Sequence, residues 1–278
     1  MSTTTSSTDL NYKMLVLDLD DTLLRDDHSI SERNRKMLLK AQEKGVKVVL
    51  ASGRPTPAMT QYIETLQLDK YDSYLISFNG GMVTSIRDNE VIFEQSLTKE
   101  EIHSLHDFCK VNDLHIITYS DKGVISETES EYIDVEIKLT GLPHHKVPCF
   151  KSEVQTSAVK CILLENPDYL KTMETKLKAE RTDLSIARSK PFFLEVMPQG
   201  IDKAASLELL SNMLGIQQSE VIAVGNAGND LSMVEYAGLG VWVDNVTPEL
   251  RDKADVIVAS NMEDGVAEVV ERFILGEN

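Results

Sequence analysis

The stretch MLVLDLDDT, residues 14–22, places acids directly after a short apolar segment. Met14–Leu19 is an apolar run that ends in acids, which is typical of a strand buried on both faces of a sheet. Asp18 and Asp20 are two residues apart, so both carboxylates can turn toward one site at the strand end. Two carboxylates this close repel each other unless a cation neutralises them. The stretch therefore predicts a buried strand ending at an oxygen-lined cation site, which favours Mg²⁺ over zinc.

Outward from this strand, strands and helices alternate in both directions. The elements predicted before residue 85 are a helix from Ser31 to Gly45, a strand at Val46–Leu50, a helix at Pro55–Leu66 and a strand at Tyr74–Phe78. After residue 198 they are a helix from Asp202 to Gly215, strands at Val221–Val224, Leu239–Val243 and Asp255–Val258, a helix at Asp230–Ala237, and helices starting at Thr247–Glu249 and after Asp264. Ser and Asp are favoured helix N-caps, and Gly is favoured just past a helix end. This alternation predicts an α/β fold, a doubly wound parallel sheet with a Rossmann-like core.

The segment between these two halves has a different rhythm. Its predicted strands are Leu114–Tyr119, Val159–Leu164 and Phe192–Val196, its predicted helices are Lys99–Val111 and Asp168–Ala179, and Gly141–Phe150 is irregular. We interpret it as a second α/β domain inserted into the first. The predicted division is a flexible tail at residues 1–12, a core at 13–84 and 199–278, and an inserted domain at 85–198.

Polar clusters follow four of the predicted core strands. They are DLDDT at residues 18–22, SGR at 52–54, NGG at 79–81 and GNAGND at 225–230. In an open parallel sheet the carboxyl ends of the strands form the ligand crevice, especially where the strand order reverses. If the first strand is central, with Val221–Val224 on its other side, all four clusters meet there. An isolated pair of acids would more often be a surface turn, and it is this convergence that favours a site.

Two of the predicted segments, the cluster at residues 52–54 and the helix start at Lys203, contain groups that can bind a phosphate. Ser52 and the backbone around Gly53 can donate hydrogen bonds to phosphate oxygens. Lys203 stands at the start of a predicted helix, where a cation opposes the helix dipole. That local conflict suggests that Lys203 neutralises phosphate, with a solvated lysine at a helix end as the alternative.

Composition narrows the classes of partner. The chain has 278 residues, 42% of them hydrophobic, and a formal net charge of −17. A binder of nucleic acid needs a basic surface, so this charge argues against DNA, RNA and anionic membranes as partners. Three cysteines without paired spacing suit a reducing compartment, and the first eleven residues lack the features of a signal peptide, so a cytoplasmic location is expected. The expected partner is a small phosphomonoester, with the chain a monomer or weak homo-oligomer.

With these motifs in view, the chain resembles the haloacid dehalogenase-like superfamily and its Cof-type sugar-phosphatase subgroup. The resemblance runs from Lys13 to the C-terminus. It rests on DLDDTLL at 18–24, SGRP at 52–55, FNGG at 78–81, Lys203, GNAGND at 225–230 and SNMEDGV at 260–266. The inserted segment falls where that subgroup has its cap domain. The resemblance implies a magnesium-dependent phosphatase of small phosphorylated metabolites, sugar phosphates first, that works through an aspartyl-phosphate.

The resemblance also implies a role for each matched residue. The implied catalytic residues are Asp18 as nucleophile, Asp20 as general acid and then base, and Lys203. The implied phosphate ligands are Asp20, Asp21, Thr22, Ser52, Gly53, Lys203 and Asn229. The implied Mg²⁺ ligands are Asp18, Asp20, Asn226 and Asp230, and the implied substrate contacts are Arg54, Asn79 and Gly80.

Two positions depart from the family pattern. Asp21 stands where the family usually has Gly, and Asn226 stands where the subgroup normally has a metal-binding Asp. An amide oxygen can bind Mg²⁺ but lacks the charge, so metal affinity and turnover should fall, and a non-catalytic protein that binds phosphorylated metabolites is the main alternative. A signalling receiver domain is much shorter, and a dinucleotide-dependent oxidoreductase would have a G-x-G-x-x-G loop where residues 18–24 contain no glycine. A phosphomutase is chemically allowed but is not favoured in this subgroup.

Overall fold

The computed structural model describes residues 12–120 and 122–277, which contain fourteen strands and nine α-helices. Of the predicted tail at residues 1–12, all but Tyr12 lies outside the described residues. The strands, in chain order, are β1 (Met14–Leu17), β2 (Lys47–Ala51), β3 (Tyr74–Ser77), β4 (Met82–Ser85), β5 (Glu90–Glu94), β6 (His115–Ser120), β7 (Gly123–Ser126), β8 (His144–Lys146), β9 (Cys161–Leu164), β10 (Leu184–Lys190), β11 (Phe193–Pro198), β12 (Val221–Gly225), β13 (Leu239–Val243) and β14 (Val256–Val258). The helices are α1 (Glu32–Glu43), α2 (Thr60–Leu66), α3 (Lys99–Val111), α4 (Glu131–Thr140), α5 (Phe150–Glu153), α6 (Pro167–Glu180), α7 (Lys203–Leu214), α8 (Leu231–Tyr236) and α9 (Gly265–Val269).

The larger sheet has eight strands in the order β14-β13-β12-β1-β2-β3-β4-β5. The central strand β1 pairs in parallel with β12 on one side and β2 on the other, so Leu15 lies opposite both Ile222 and Val48. All neighbours from β14 to β3 are parallel. The predicted doubly wound α/β fold and the central position of the first strand are therefore confirmed. The edge strands β4 and β5 form an antiparallel hairpin that the prediction did not include.

The strand β1 is buried on both faces because its side chains alternate between two cores. Leu15 and Leu17 pack in the core under α1, α2 and α9, while Met14 and Val16 pack in the core under α7 and α8. All four side chains are fully buried. Each such burial contributes about 1.5–3 kcal/mol. The strand therefore gives a rigid base to the residues that follow it.

The smaller sheet has six strands in the order β10-β11-β9-β6-β7-β8. Its pairs are antiparallel except for β7 and β8. Helices α3, α5 and α6 cover one face, where Phe150 and Leu170 are fully buried, and α4 covers the other face through Ile133. The helix α3 has the bounds expected from the sequence, and its start is fixed by a capping box between Thr98 and Glu101.

The predicted boundary of the inserted domain at residue 85 needs correction. β5 pairs with β4 in the larger sheet, so residues up to Glu94 belong to that sheet. The turn of this hairpin contains Asn89 at φ +50°, a left-handed conformation that Asn tolerates. The chain enters the smaller sheet through residues 95–98 and leaves it after Pro198, which ends β11.

Several elements of the segment that forms the smaller sheet were not predicted. These are the strands β7, β8 and β10 and the helices α4 and α5. β8 has only three residues, and β10 ends in exposed polar and charged residues, so neither has a strong apolar pattern. A helix able to cross a bilayer is absent from the part of the chain that the structure describes.

Candidate active site

The turn after β1 positions the first acidic cluster. The backbone N–H of Asp18 donates to the carbonyl of Val224 at 3.0 Å, which places Asp18 beside the loop after β12. Asp18 itself is buried, with 5% of its surface exposed. Asp21 has φ +57°, in the left-handed region that glycine adopts most easily, and Asp is one of the few other residues to adopt it. The turn geometry therefore accounts for the usual glycine at this position and for its replacement by Asp.

Lys203 lies between two buried carboxylates. Its Nζ donates to Asp18 Oδ1 at 2.7 Å, to Asp230 Oδ1 at 2.6 Å and to the Ala51 carbonyl at 2.9 Å. The lysine side chain is fully buried. Asp202 caps the helix by accepting a hydrogen bond from the N–H of Ala204 at 2.6 Å. The alternative of a solvated helix-end lysine is therefore wrong, and Lys203 links α7 to the ends of β1, β2 and β12.

Burial and charge perturb the acids and bases of this cluster. Burial, together with the nearby Asp230 carboxylate, raises the pKa of Asp18 to about 7, although Lys203 opposes the rise. Burial alone would lower the pKa of Lys203, but Asp18 and Asp230 hold it above its ordinary value. Lys203 is therefore charged, and the Asp18 carboxylate needs further positive charge nearby to be fully ionised at neutral pH.

Asp230 uses both carboxylate oxygens within the protein. Oδ1 accepts from Lys203, while Oδ2 accepts from the N–H groups of Asn226 at 3.0 Å and Ala227 at 3.1 Å. Asp230 is fully buried, and a Cβ at Gly225 would come within 2.5 Å of its side chain. These contacts argue against the predicted role of Asp230 as a metal ligand. It instead holds Lys203 and the loop at residues 225–230 in place.

The second and third strand ends meet at Gly53. A Cβ on Gly53 would lie 3.1 Å from Asn79 Oδ1, and Asn229 Nδ2 donates to the same oxygen at 3.3 Å. Ser52 Oγ accepts from the N–H of Arg54 at 3.1 Å, which leaves its own proton to donate. These contacts join three of the four predicted clusters at the sheet edge, and the contact of Arg54 with Asp20 joins the fourth.

Gly80 was predicted to contact the substrate, but in the structure it has a different role. It adopts φ +104°, and a Cβ there would lie 2.3 Å from the Asp202 carbonyl oxygen. Its own carbonyl accepts from Ser206 Oγ at 2.5 Å. The glycine therefore allows the start of α7 to approach the third strand end, and it is buried beneath the site instead of lining it.

Asp20 is held by a two-point ion pair. Arg54 Nε donates to Asp20 Oδ2 at 2.9 Å and Arg54 Nη2 donates to Oδ1 at 2.6 Å. His28 Nδ1 lies 3.8 Å from Asp20 Oδ1 and 3.4 Å from Arg54 Nη2. Arg54 was predicted to bind substrate, but in this arrangement its guanidinium orients Asp20. A paired Arg–carboxylate contact of this type fixes direction as well as position.

A cavity of about 660 Å³ lies over these strand ends. Its floor includes Asp18, Asp20, Asp21, Ser52, Gly53, Arg54, Asn79, Asn226 and Asn229, and its opposite wall comes from the smaller sheet and α4. Thr22 is buried beneath the floor, and its hydroxyl has no hydrogen-bond partner among the described residues. A buried donor without a partner is costly, and Thr22 does not itself line the cavity.

Sequence reasoning missed six cavity residues with charge or proton-transfer capacity. They are His28, Glu136, Lys160, Arg188, Lys190 and Glu195. His28 was assigned no chemistry because the six histidines form no pattern along the chain, and its left-handed φ of +61° is a property of the folded loop. The other five come from α4, from the residue before β9 and from the strands β10 and β11, and they meet only in the folded domain.

Comparison with known proteins places this site in a family. A family model described as haloacid dehalogenase-like hydrolase matches residues 15–270. The chain belongs to the haloacid dehalogenase-like hydrolases. YxeH of Bacillus subtilis (strain 168), provisionally named a phosphatase, is 33% identical over 96% of this chain and 100% of that protein. YcsE of the same strain, named a 5-amino-6-(5-phospho-D-ribitylamino)uracil phosphatase, is 29% identical over 96% of this chain and 98% of that protein.

A solved structure supports the same placement. A haloacid dehalogenase-like hydrolase from Bacteroides thetaiotaomicron superposes with a TM-score of 0.91 at 36% identity, covering 94% of this chain and 99% of that chain. The family resemblance and the enzyme class, a phosphatase of this family, are therefore confirmed.

The oxygen atoms of this haloacid dehalogenase-like hydrolase fit a hard divalent cation. Asp18 and Asn226 both line the cavity, and the pKa of the buried Asp18 is raised by burial, as expected of a carboxylate that lacks a neutralising cation. Carboxylate, amide and main-chain oxygens are ligands that Mg²⁺ prefers. Among the described residues, no group of three or more His, Cys, Asp and Glu is arranged to hold a metal. Asn226 offers an amide oxygen here, and Asp230 Oδ2 already accepts from the N–H of Asn226.

Proposed function

We propose that this haloacid dehalogenase-like hydrolase releases inorganic phosphate from small phosphomonoesters, sugar phosphates first among them, through a phospho-aspartate on Asp18. The observation that carries the proposal is the setting of Asp18. It ends the central strand, lies 2.7 Å from the buried Lys203 and lines the cavity that Asp20 and Ser52 share. Relatives named as phosphatases support the same chemistry.

In the first step, a carboxylate oxygen of Asp18 attacks phosphorus, and the bond from phosphorus to the leaving oxygen breaks. Asp20 donates a proton to that oxygen, so the alcohol leaves as a neutral molecule. Lys203 holds Asp18 in position and offsets negative charge that builds up beside it. The hydroxyl group of Ser52, which lines the cavity, is a nearby donor for phosphoryl oxygens.

In the second step, the Asp20 carboxylate takes a proton from a water molecule whose oxygen attacks the same phosphorus. The bond between phosphorus and Asp18 breaks, which restores the Asp18 carboxylate and frees inorganic phosphate. The two-point contact with Arg54 keeps Asp20 aimed at the cavity between the two steps. One carboxyl group thus serves as acid and then as base, as the proton balance of the reaction requires.

We propose that Mg²⁺ is held by Asp18, the main-chain carbonyl of Asp20 and the side-chain oxygen of Asn226. The ion would supply positive charge that lets an anionic carboxylate approach an anionic phosphate. Asn226 provides an oxygen without a negative charge, so we expect weaker metal binding than a carboxylate would give.

We also propose that residues 95–198 form a cap domain over the strand ends. Lys160 of this segment donates to the Gly53 carbonyl at 3.3 Å, and a Cβ at Gly81 would lie 2.4 Å from Val159 Cγ1. The smaller sheet therefore closes tightly on the phosphate side of the cavity. Such closure excludes water from the reacting groups.

Phosphate release from a panel of phosphorylated metabolites tests the proposal. We expect release that requires Mg²⁺, stops with EDTA and is abolished by Asp18→Asn, while the exposed control Asp26→Asn keeps wild-type turnover. Folded Asp18→Asn protein with wild-type turnover would place the nucleophile elsewhere. The second candidate, a binding protein without turnover, is favoured by Asn226, and saturable phosphomonoester binding without phosphate release would establish it.

A further inference from the structure

The cavity wall opposite the phosphate site contains a buried ion pair. Lys160 immediately precedes β9, and its Nζ lies 3.1 Å from Glu195 Oε1 on β11. Lys160 is 3% exposed and Glu195 is 9% exposed, yet both line the cavity. Removing two charges from water is costly unless they make specific contacts. The catalytic steps above use neither residue.

A second carboxylate lies close to this pair. Glu136 on α4 is 6% exposed and accepts a hydrogen bond from Tyr119 Oη at 2.6 Å. Burial raises the pKa of Glu136, while the positive charge of Lys160 lowers it, so the two residues act on each other electrostatically. Glu136 also lines the cavity. We call Glu136, Lys160 and Glu195 the cap cluster.

The cap cluster faces the reacting end of the cavity. Lys160 Nζ also donates to the carbonyl of Gly53, next to Ser52, and it lies 5.9 Å from the centre of the Phe78 ring and 5.8 Å from that of Tyr119. The cap cluster therefore borders the part of the cavity that contains Ser52. The lysine is fully engaged by these contacts, so it is poorly placed to accept a second anion.

Charge and hydrogen bonding of the cap cluster favour one kind of leaving group. Two carboxylates and one ammonium leave one negative charge when all three are ionised. Among the described residues, each carboxylate accepts side-chain hydrogen bonds through one oxygen only, Glu136 from Tyr119 and Glu195 from Lys160. The second oxygen of each is available to a donor on a ligand. A buried carboxylate repels a second anion and accepts hydrogen bonds from hydroxyl groups.

We propose that Glu195 and Glu136, organised by Lys160, are specificity-determining residues that exclude leaving groups carrying a second negative charge. This inference rests on the proposed phosphatase function. It defines the substrates as monophosphates whose far end is uncharged and rich in hydroxyl groups, and it sets phosphorylated carboxylic acids and bisphosphates apart as poor substrates. Rejection arises because an anion would face two buried carboxylates whose neighbouring buried cation, Lys160, is already paired. Two further cations line the cavity, but both are exposed. Arg188 is paired with Glu174 at 2.7 Å, and solvent and salt screen the charge of Lys190.

Two probes that differ only at the far end test the inference. Glucitol 6-phosphate ends in an alcohol, and gluconate 6-phosphate ends in a carboxylate. We expect kcat/KM to favour the neutral probe by about tenfold or more, mostly through KM, because each decade corresponds to about 1.4 kcal/mol. Glu195→Gln should reduce the preference about tenfold, since Lys160 then lacks its partner and attracts the carboxylate. Exposed Glu129→Gln, in the same domain and away from the cavity, should leave the ratio unchanged.

Failure of the inference and failure of the proposed function are distinguishable. Equal kcat/KM for both probes, or an unchanged ratio in Glu195→Gln, overturns the inference while phosphate release stands. If Glu195→Gln does not fold, Glu136→Gln decides the matter by the same ratio. If neither probe is hydrolysed, the ratio of their dissociation constants, measured by calorimetry on the wild-type protein, supports or overturns the inference instead. The proposed function fails only if no phosphomonoester of the panel is hydrolysed.

Discussion

Lys203 Nζ lies 2.7 Å from Asp18 Oδ1, and both residues are buried at the C-terminal end of the central strand β1. The contact joins the first polar cluster to the helix that follows the inserted segment, 185 residues later in the chain. It therefore serves two purposes. It positions the carboxylate that we propose as nucleophile, and it ties the two halves of the larger sheet together at the site.

Lys203→Met should remove both contributions. The variant leaves Asp18 and Asp230 buried without their shared cation, and loss of one partner from a buried ion pair costs about 3–5 kcal/mol. We expect the free energy of unfolding in urea to fall by this order and phosphate release to be lost. The matched control is Lys13→Met, because the Lys13–Glu220 pair leaves half of the lysine side chain exposed. Surface pairs of that kind contribute about 0–1 kcal/mol. Equal effects of the two variants would show that Lys203 is not a structural link.

Gly80→Ala should displace Lys203 without touching it. A Cβ at Gly80 would meet the Asp202 carbonyl at 2.3 Å, in a residue whose φ is +104°. We expect unfolding to become easier by about 1–3 kcal/mol or more, and activity to fall because the start of α7 moves.

Gly215→Ala is the control for the backbone conformation alone. Gly215 ends α7 at φ +67° and has nothing within 4 Å of an added Cβ. It should lose only about 1 kcal/mol, with activity unchanged. If the two alanine variants lose the same free energy of unfolding and the same activity, the close approach of Asp202 to Gly80 does not contribute to function.

The polar strand ends could be predicted because their signals are local. Ser31 and Asp202 cap helices as expected, and an apolar run followed by acids is visible within nine residues. The roles of Asp230 and Gly80 were not predictable, because sequence does not show whether a carboxylate turns toward a metal or back to its own loop. Those assignments depend on contacts with Lys203 and Asp202, which only the folded chain supplies.

The residues that the smaller sheet contributes to the cavity wall could not be predicted from the sequence, for a different reason. Lys160 and Glu195 are 35 residues apart, and charged residues in or beside short strands ordinarily point to solvent. Their burial results from the pairing of β9 with β11, and no sequence motif predicts it. The hairpin of β4 and β5 was missed because its strands, MVTS and EVIFE, lack the continuous apolar run of the predicted core strands.

Acid should weaken a contact within the smaller sheet. Burial alone would raise the pKa of Glu127, but Lys110 at 2.7 Å, the N–H of Phe150 at 2.9 Å and His106 at 3.1 Å outweigh it and lower that pKa to about 2. When the pKa of a carboxyl is lower in the folded than in the unfolded state, its ionised form stabilises the folded protein at pH values above the unfolded pKa. That stabilisation is lost as the pH falls through the folded pKa. The window is therefore from pH 4.5 down to about 2.

Urea unfolding at several pH values checks this effect. At pH 6 we expect Glu127→Gln to be less stable than wild type by about 1.5–3 kcal/mol, the usual contribution of hydrogen bonds to a charged group. The difference should shrink as pH falls from 4.5 toward 2. Exposed Glu100→Gln serves as the control and should differ little from wild type. A Glu127→Gln difference that stays constant over this range would mean that the carboxylate charge is unimportant there.

Asn226→Asp should tighten Mg²⁺ binding and raise turnover. The backbone of Asn226 is already fixed by its hydrogen bond to Asp230 Oδ2 at 3.0 Å, so the change adds a charge without rebuilding the loop. A carboxylate beside a divalent cation in a partly desolvated site contributes on the order of a few kcal/mol, reduced by its own desolvation. We expect a gain of about tenfold or more in apparent metal affinity. Crowding by Asp18 and Asp20 opposes the gain, but the metal is the largest local charge and should outweigh it.

Titration of Mg²⁺ against phosphate release tests the effect of Asn226→Asp, with exposed Asn212→Asp as a control for net charge. If Asn226→Asp needs as much magnesium as wild type and turns over no faster, Asn226 does not contact the metal.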